Sequence, residues 1–130
     1  MPTLFTKIIN GEIPCHKLWE DERHFAFLDI RPIQPGMTLL IPKQEVDRVF
    51  DLDDGAYTAL MLAAKHLTPA IQKATGCARV GLVIEGLEVP HAHIKLIPIN
   101  KPGDLTPHDN RVATEEELTA MAERIRIHLP

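Results

Sequence analysis

The sequence predicts an α+β fold, a five-stranded antiparallel sheet with helices on one face. Five short segments rich in β-branched and aromatic residues are typical of strands. Longer segments with apolar residues every three or four positions are typical of amphipathic helices. Three of the strands come before the long helix and two after it, which favours an antiparallel sheet with segregated helices. At 130 residues, we expect one domain, spanning residues 1–130.

The first third of the chain is predicted to hold a short helix and three strands. Leu4 and Ile8 stand at helical spacing, with Thr3 as a candidate N-cap and Gly11 as a stop. Alternating phenylalanines around a charged turn indicate a hairpin. Two prolines and a glycine then interrupt the chain before a third apolar run. The predicted elements are a helix over residues 3–10, strands over 15–21 and 24–30, a loop over 31–36 and a strand over 37–42.

The rest of the chain is predicted to hold two amphipathic helices and two more strands. The long helix has Asp53 or Asp54 as its cap and ends at Gly76. Pro69 lies inside it and is expected to kink or split it, because proline lacks a backbone donor. The last helix begins with the spacing of a capping box. The predicted elements are a helix within residues 51–76, strands over 78–86 and 91–100, a loop over 101–110 and a helix over 114–129.

Composition and charge exclude several classes of partner. A formal net charge of -4 gives no basic surplus for a nucleic acid polymer. No segment approaches the roughly 18 apolar residues of a membrane-spanning helix, so we expect no membrane contact and a cytoplasmic location. Any phosphate site is therefore expected to be local, built from a few donors rather than from the field of the whole molecule.

The fifth strand carries a row of three polar residues, His91, His93 and Lys95, at alternate positions. Side chains alternate across a strand, so the intervening apolar residues pack under the helices and the row is expected on a helix-free face. Three interpretations of such a row remain open: the solvated side of a half-buried strand, a metal site, or a site for chemistry at phosphorus.

Two of these interpretations are chemically specific. A metal is disfavoured, because Lys95 would repel a dication and no carboxylate follows His93 in the strand; we expect neither a metal nor a cofactor. Chemistry at phosphorus needs a nucleophile and positive donors for the non-bridging oxygens, and two imidazoles with an ammonium group supply both. His108 and His128 are expected to be exposed surface residues.

The segment GLEVPHAHIKLIPIN resembles the signature of the histidine triad family of nucleotide hydrolases and transferases, in which three histidines alternate with apolar residues. LFTKIINGEIP is similar to the opening helix of that family, and EDERHFAFLDIRPIQPGMTLLIPK to its nucleoside-binding strands and loop. The likeness is to the purine nucleoside phosphoramidase branch, with Lys95 in place of the third histidine. It implies a fold like that of the family and a homodimer whose sheets join edge to edge.

The resemblance also implies roles for particular residues. His93 would be the nucleophile that forms a nucleotidyl-histidine intermediate, His91 would orient it through its carbonyl group, and Lys95 would contact the phosphate. Asp29 would accept hydrogen bonds from the ribose hydroxyls, and Glu88 would stand on the leaving-group side. The residues expected to surround a purine base are Leu4, Phe5, Ile8, Phe27 and Ile30, of which the two phenylalanines are the best candidates for ligand contact.

The sequence departs from the family pattern at several positions. Ile84 stands where many members have asparagine, and Leu87 and Glu88 stand where they have glutamine and serine. Thr3 and Thr6 occupy the positions of a Cys-x-x-Cys zinc pair found in many bacterial members, so no structural zinc is expected.

The sequence therefore predicts a hydrolase of purine nucleoside 5'-phosphoramidates, or of related phosphoester or anhydride bonds, that binds a purine nucleoside monophosphate or its conjugate. A nucleotide-binding sensor that has lost turnover through Lys95 and Ile84, and a dinucleoside polyphosphate hydrolase, remain the alternatives.

Overall fold

The computed structural model describes residues 2–107 and 111–130. His108 and the end of the predicted loop lie outside these residues. A 3₁₀ turn, Val49–Asp51, precedes the second helix. The helices and strands are α1 (Leu4–Ile9), β1 (Lys17–Glu20), β2 (His24–Leu28), β3 (Thr38–Pro42), α2 (Asp54–Thr75), β4 (Arg79–Val83), β5 (Ile94–Ile99) and α3 (Glu115–Arg126).

The five strands form one antiparallel sheet in the order β1-β2-β3-β5-β4. The prediction of an α+β domain built on a five-stranded antiparallel sheet is therefore confirmed. Pairing places Phe27 opposite Leu39, Leu39 opposite Lys95, and Lys95 opposite Val83. These four side chains form a row across one face, because residues directly opposite each other point to the same side. Among the described helices, none is long and apolar enough to cross a membrane.

The helices are shared between the two faces of the sheet. α2 and α3 cover one face, where Leu40, Ile94 and Leu96 pack with buried residues of both helices. On the other face, Phe5 and Ile8 of α1 join a second apolar cluster that includes Phe27, Leu39 and Ile97. The prediction that the polar row lies on a helix-free face is therefore wrong, because α1 buries its apolar side there.

The long helix α2 runs without interruption through Pro69, so the predicted split is wrong. Proline at this position deprives the carbonyl of Lys65 of its helical donor. The hydroxyl of Thr68 donates to that carbonyl at 3.0 Å, which replaces the missing hydrogen bond. The helix begins at the Asp53 cap, whose carboxylate accepts the backbone N–H of Ala56. The predicted capping box of the last helix is also present.

The fifth strand begins at Ile94, three residues later than predicted, so His91 and His93 precede it. The ladder with β3 ends at the pair formed by Leu40 and Ile94. Pro42 lies further along β3 and has no N–H with which to extend the ladder. The backbone N–H of Ala92 donates instead to Val46 at 2.7 Å. The two histidines therefore stand on a loop-like segment held by its own contacts.

Candidate functional site

A groove of about 1010 Å³ opens on the α1 side of the sheet. Its volume is at the upper end of the range of small-molecule sites, roughly 300–1,000 Å³. Every site residue predicted from the sequence except His91 lines it: Leu4, Phe5, Ile8, Phe27, Asp29, Ile30, Glu88, His93 and Lys95.

His93 is buried, with 5% of its surface exposed, and its ring is held by one directional contact. Nδ1 lies 2.8 Å from the carbonyl oxygen of His91. A carbonyl oxygen only accepts, so Nδ1 carries the hydrogen and Nε2 keeps its lone pair when the ring is neutral. The edge of Phe5 packs against the ring at a centroid distance of 5.0 Å.

The pKa of His93 lies below its ordinary value of 6.5, mainly because burial disfavours the imidazolium ion. The nearby charge of Lys95 also lowers this pKa, while the hydrogen bond to His91 and the carboxylate of Asp29 raise it. The ring is therefore neutral at physiological pH, which is the protonation state that a nitrogen nucleophile requires.

His91 is fully buried and does not line the groove. Both of its ring nitrogens have partners: Nε2 lies 2.7 Å from the carbonyl oxygen of Pro42, and Nδ1 lies 2.7 Å from the hydroxyl of Thr3. Its contact with His93 is made through its backbone carbonyl. The residue can therefore fix the position of His93 without touching a ligand.

Lys95 lies beside His93 in the groove, with 19% of its side chain exposed. Its Nζ is 3.6 Å from Oε1 of Glu85, a groove residue that the sequence reasoning missed. Glu85 lies just past the end of β4, whose last residue, Val83, pairs with Lys95; no local sequence pattern marks this contact. Glu88 also lines the groove and is exposed.

Another part of the groove combines aromatic and apolar side chains with one carboxylate. The rings of Phe5 and Phe27 meet edge to face, with their centroids 5.7 Å apart. Leu4 and Ile30 are 47% and 54% exposed. The groove therefore has an aromatic wall flanked by apolar side chains that a ligand can reach. The carboxylate of Asp29 lines the groove and also caps a turn by accepting a backbone N–H. Arg31 and Arg111 line the groove as well and were not predicted.

The position of Ile84 does not support a direct role in the groove. Its side chain packs against the core beneath α2 and α3, and it is not among the residues that line the groove. The departure at Ile84 is therefore separated from the ligand surface, whereas the departures at Lys95 and Glu88 lie on it.

The residues at the family zinc positions do not suit a zinc ion. Thr3 and Thr6 offer neutral hydroxyls where zinc prefers thiolate, imidazole or carboxylate ligands, and both hydroxyls are hydrogen-bonded to protein groups. Within residues 2–107 and 111–130, no group of three or more metal-binding side chains comes together.

The sheet, the two covered faces and the histidine-bearing groove define a HIT domain. The HIT domain family matches residues 10–101, and the chain belongs to this family.

Particular relatives cover nearly the whole chain. The adenosine 5'-monophosphoramidase HNT1 of Saccharomyces cerevisiae is 35% identical over an alignment that covers 92% of this chain and 82% of the yeast protein. The adenylylsulfatase HINT3 of Arabidopsis thaliana is 29% identical and covers 97% of this chain and 68% of the plant protein. A HIT-like protein from Bartonella henselae, described as involved in cell-cycle regulation, superimposes with a TM-score of 0.87 at 29% identity, covering 98% and 96% of the two chains. Relatives in this family are thus named as hydrolases.

Proposed function

We propose that the protein binds a purine nucleoside monophosphate moiety and hydrolyses its phosphoramidate bond, or a related phosphoester or anhydride bond. The observation that carries this proposal is the geometry of His93. Its Nδ1 is held by the carbonyl of His91 and its ring lines the groove, so the free lone pair is on the nitrogen that can attack phosphorus. The named activities of the relatives support the same class of reaction.

The reaction divides into two displacements at phosphorus. Nε2 of His93 forms a bond to the phosphorus as the bond to the leaving amine breaks, and the amine departs with a proton taken from solvent, which the second step returns. Water then attacks the nucleotidyl-histidine, loses a proton, and releases the nucleotide and the free imidazole. The ammonium group of Lys95 stabilises negative charge on the non-bridging oxygens in both steps.

Binding of the nucleoside uses the aromatic and apolar wall of the groove. The base would lie against Phe5 and Phe27, with Leu4, Ile8 and Ile30 completing the apolar wall, and the carboxylate of Asp29 would accept hydrogen bonds from the ribose hydroxyls. The protein is expected to act in the cytoplasm, which remains a prediction from its sequence.

The direct test is incubation with adenosine 5'-phosphoramidate and quantification of AMP. We expect AMP to be released and AMP itself to raise the melting temperature. A diadenosine polyphosphate and the guanosine phosphoramidate run in parallel would show which bond and which base are preferred. If AMP raises the melting temperature but none of these compounds is cleaved, the protein is a nucleotide sensor. The ion pair between Lys95 and Glu85 favours this second candidate, because the carboxylate of Glu85 reduces the positive charge that Lys95 can offer to phosphate.

The pH dependence of this hydrolysis is expected to follow the free base of His93. Burial keeps its pKa below 6.5, so the decline of kcat/KM as the pH falls should have its midpoint below pH 6.5. An unfolded histidine binds a proton more readily than the buried one, so stability that His93 contributes above 6.5 is lost as the pH falls toward the folded pKa. A pH–rate profile checks the direction of the change in activity, and thermal melts over the same pH range check the direction of the change in stability. A decline of kcat/KM centred above pH 6.5 would contradict the assignment of His93 as the nucleophile.

We also propose a homodimer that pairs the β4 strands of two copies. β4 is an edge strand of the sheet, and its Leu82 is 39% exposed while Leu62 of the adjacent α2 is 59% exposed. Sedimentation should give twice the 14.6 kDa of one chain, and Leu82→Lys should shift it to monomer because a charge at a buried edge is costly. Ile127→Lys is the control, since Ile127 is 76% exposed and lies past α3. A dimer unaffected by Leu82→Lys would refute this interface.

A further inference from the structure

Four polar side chains form a hydrogen-bonded cluster behind the groove: Thr3, Thr6, Glu45 and His91, referred to below as the Glu45 cluster. Oε1 of Glu45 accepts the hydroxyl of Thr6 at 2.6 Å and the backbone N–H of Thr3 at 2.8 Å. The hydroxyl of Thr3 lies 2.7 Å from Nδ1 of His91. The cluster thus joins the start of α1, the segment after β3 and the first histidine of the triad.

The direction of these hydrogen bonds follows from the groups that can only accept. The carbonyl of Pro42 requires a hydrogen on Nε2 of His91, so in the neutral ring Nδ1 accepts the hydroxyl hydrogen of Thr3. The oxygen of Thr3 in turn accepts the backbone N–H of Thr6 at 3.1 Å. His91 is therefore held in the Nε2–H tautomer, whereas His93 is held in the Nδ1–H tautomer.

We propose that Glu45 is a positioning residue for the nucleophile His93, acting through Thr3, Thr6 and His91. The inference rests on the proposed hydrolase function. Glu45 fixes the two threonines, Thr3 fixes the ring of His91, and the carbonyl of His91 holds Nδ1 of His93. The next residue, Val46, accepts the N–H of Ala92, so the segment that carries Glu45 secures the peptide between the two histidines from a second side.

Thr3 and Thr6 of the cluster stand at the two positions that the family resemblance assigns to a zinc pair, and they form hydrogen bonds there. An ionised carboxylate suits the positioning role proposed for Glu45. Its pKa lies below 4.5 because it accepts the hydroxyl of Thr6 and the N–H of Thr3, so it is ionised at physiological pH. Glu45 is exposed and does not line the groove, so its removal creates no buried cavity and deletes no ligand contact.

The kinetic test compares Glu45→Ala with Glu45→Gln in the phosphoramidate assay. A displacement of about 1 Å at a reacting group can cost roughly 100-fold in rate, and we expect Glu45→Ala to lose about 10- to 100-fold in kcat with KM close to wild type. Glu45→Gln should recover most of the rate, because its amide oxygen can accept both hydrogen bonds. Thr3→Val should behave like Glu45→Ala, and Thr3→Ser should restore activity.

Thr68→Val is the matched control, because it deletes a hydroxyl hydrogen bond on α2 and should leave kcat unchanged. A nitrogen-15 spectrum of the imidazole rings provides a readout that does not depend on turnover. Wild type should show His91 as Nε2–H and His93 as Nδ1–H, and Glu45→Ala should show His93 as a mixture of tautomers.

The two readouts separate failure of this inference from failure of the proposed function. A wild-type protein without turnover contradicts the hydrolase, while the tautomer of His93 in Glu45→Ala still decides the positioning role. That role is overturned if Glu45→Ala leaves the His93 tautomer unchanged, or if Glu45→Gln is as impaired as Glu45→Ala. Should Glu45→Ala fail to fold, Thr3→Val and Thr3→Ser provide the same comparison.

Discussion

His93→Ala is expected to abolish release of AMP from adenosine 5'-phosphoramidate while leaving AMP binding largely intact. Loss of a catalytic nucleophile in a site that acts as a unit typically costs at least about a thousandfold in kcat, and no other imidazole lines the groove in the described part of the chain. Binding should survive because the other residues proposed to contact the base and the ribose, including Leu4, Ile30 and Asp29, keep their side chains in this variant. The measurement is single-turnover AMP release together with the melting-temperature shift caused by AMP.

A control for this substitution is His128→Ala, because His128 is exposed after α3 and does not line the groove. Its rate should equal that of wild type. Quenching the reaction with alkaline denaturant, in which a nucleotidyl-histidine survives, should trap a nucleotide on wild type and none on His93→Ala, which distinguishes a covalent nucleophile from a residue that only orders water. Retention of more than about a tenth of wild-type kcat by His93→Ala would exclude the covalent mechanism.

The sequence predicted the parts of this site that are encoded by local patterns. The caps Thr3 and Asp53 and the hairpin of β1 and β2 depend on residues a few positions apart, and the structure confirms each. The resemblance to the histidine triad family then identified the groove residues, because its motifs span most of the chain.

What the sequence did not predict depends on contacts between distant segments. Thr3 and His91 meet across 88 positions and Thr3 and Glu45 across 42, and no local period marks such pairs. The face taken by α1 follows from burial of Phe5 against Phe27 and His93, which becomes apparent only when the whole sheet is assembled. The late start of β5 has a similar origin, since it depends on where Pro42 stands opposite the fifth strand.

Replacing Lys95 is expected to have the second largest effect. Lys95→Met removes the ammonium group that lies beside His93 in the groove, and loss of one charge-stabilising donor typically lowers kcat by about 100- to 1,000-fold. The matched control is Lys43→Met. Lys43 also forms an ion pair, 2.6 Å from Glu20, and has 29% of its side chain exposed. It does not line the groove. Single-turnover AMP release should be unchanged in this control. A Lys95→Met protein as fast as wild type would remove Lys95 from the mechanism.

Lys95→His then decides whether the lysine performs the task of the third histidine or prevents it. If Lys95 stabilises the phosphate oxygens, the histidine variant should turn over within about tenfold of wild type, because either group can place positive charge there. A gain of several orders of magnitude would show instead that lysine had switched the chemistry off.

Glu85 provides an independent check on the role of Lys95, because its carboxylate lies 3.6 Å from Nζ. Glu85→Gln removes the charge that competes with phosphate for Lys95 and should tighten AMP binding in the wild-type background. In Lys95→Met the same substitution has no ammonium group to release, so its effect on AMP binding should largely disappear. If the effects of Lys95→Met and Glu85→Gln on AMP binding are not additive in this double-mutant cycle, the lysine acts directly on the nucleotide phosphate. Additive effects would show instead that Lys95 only forms an ion pair beside an otherwise complete site.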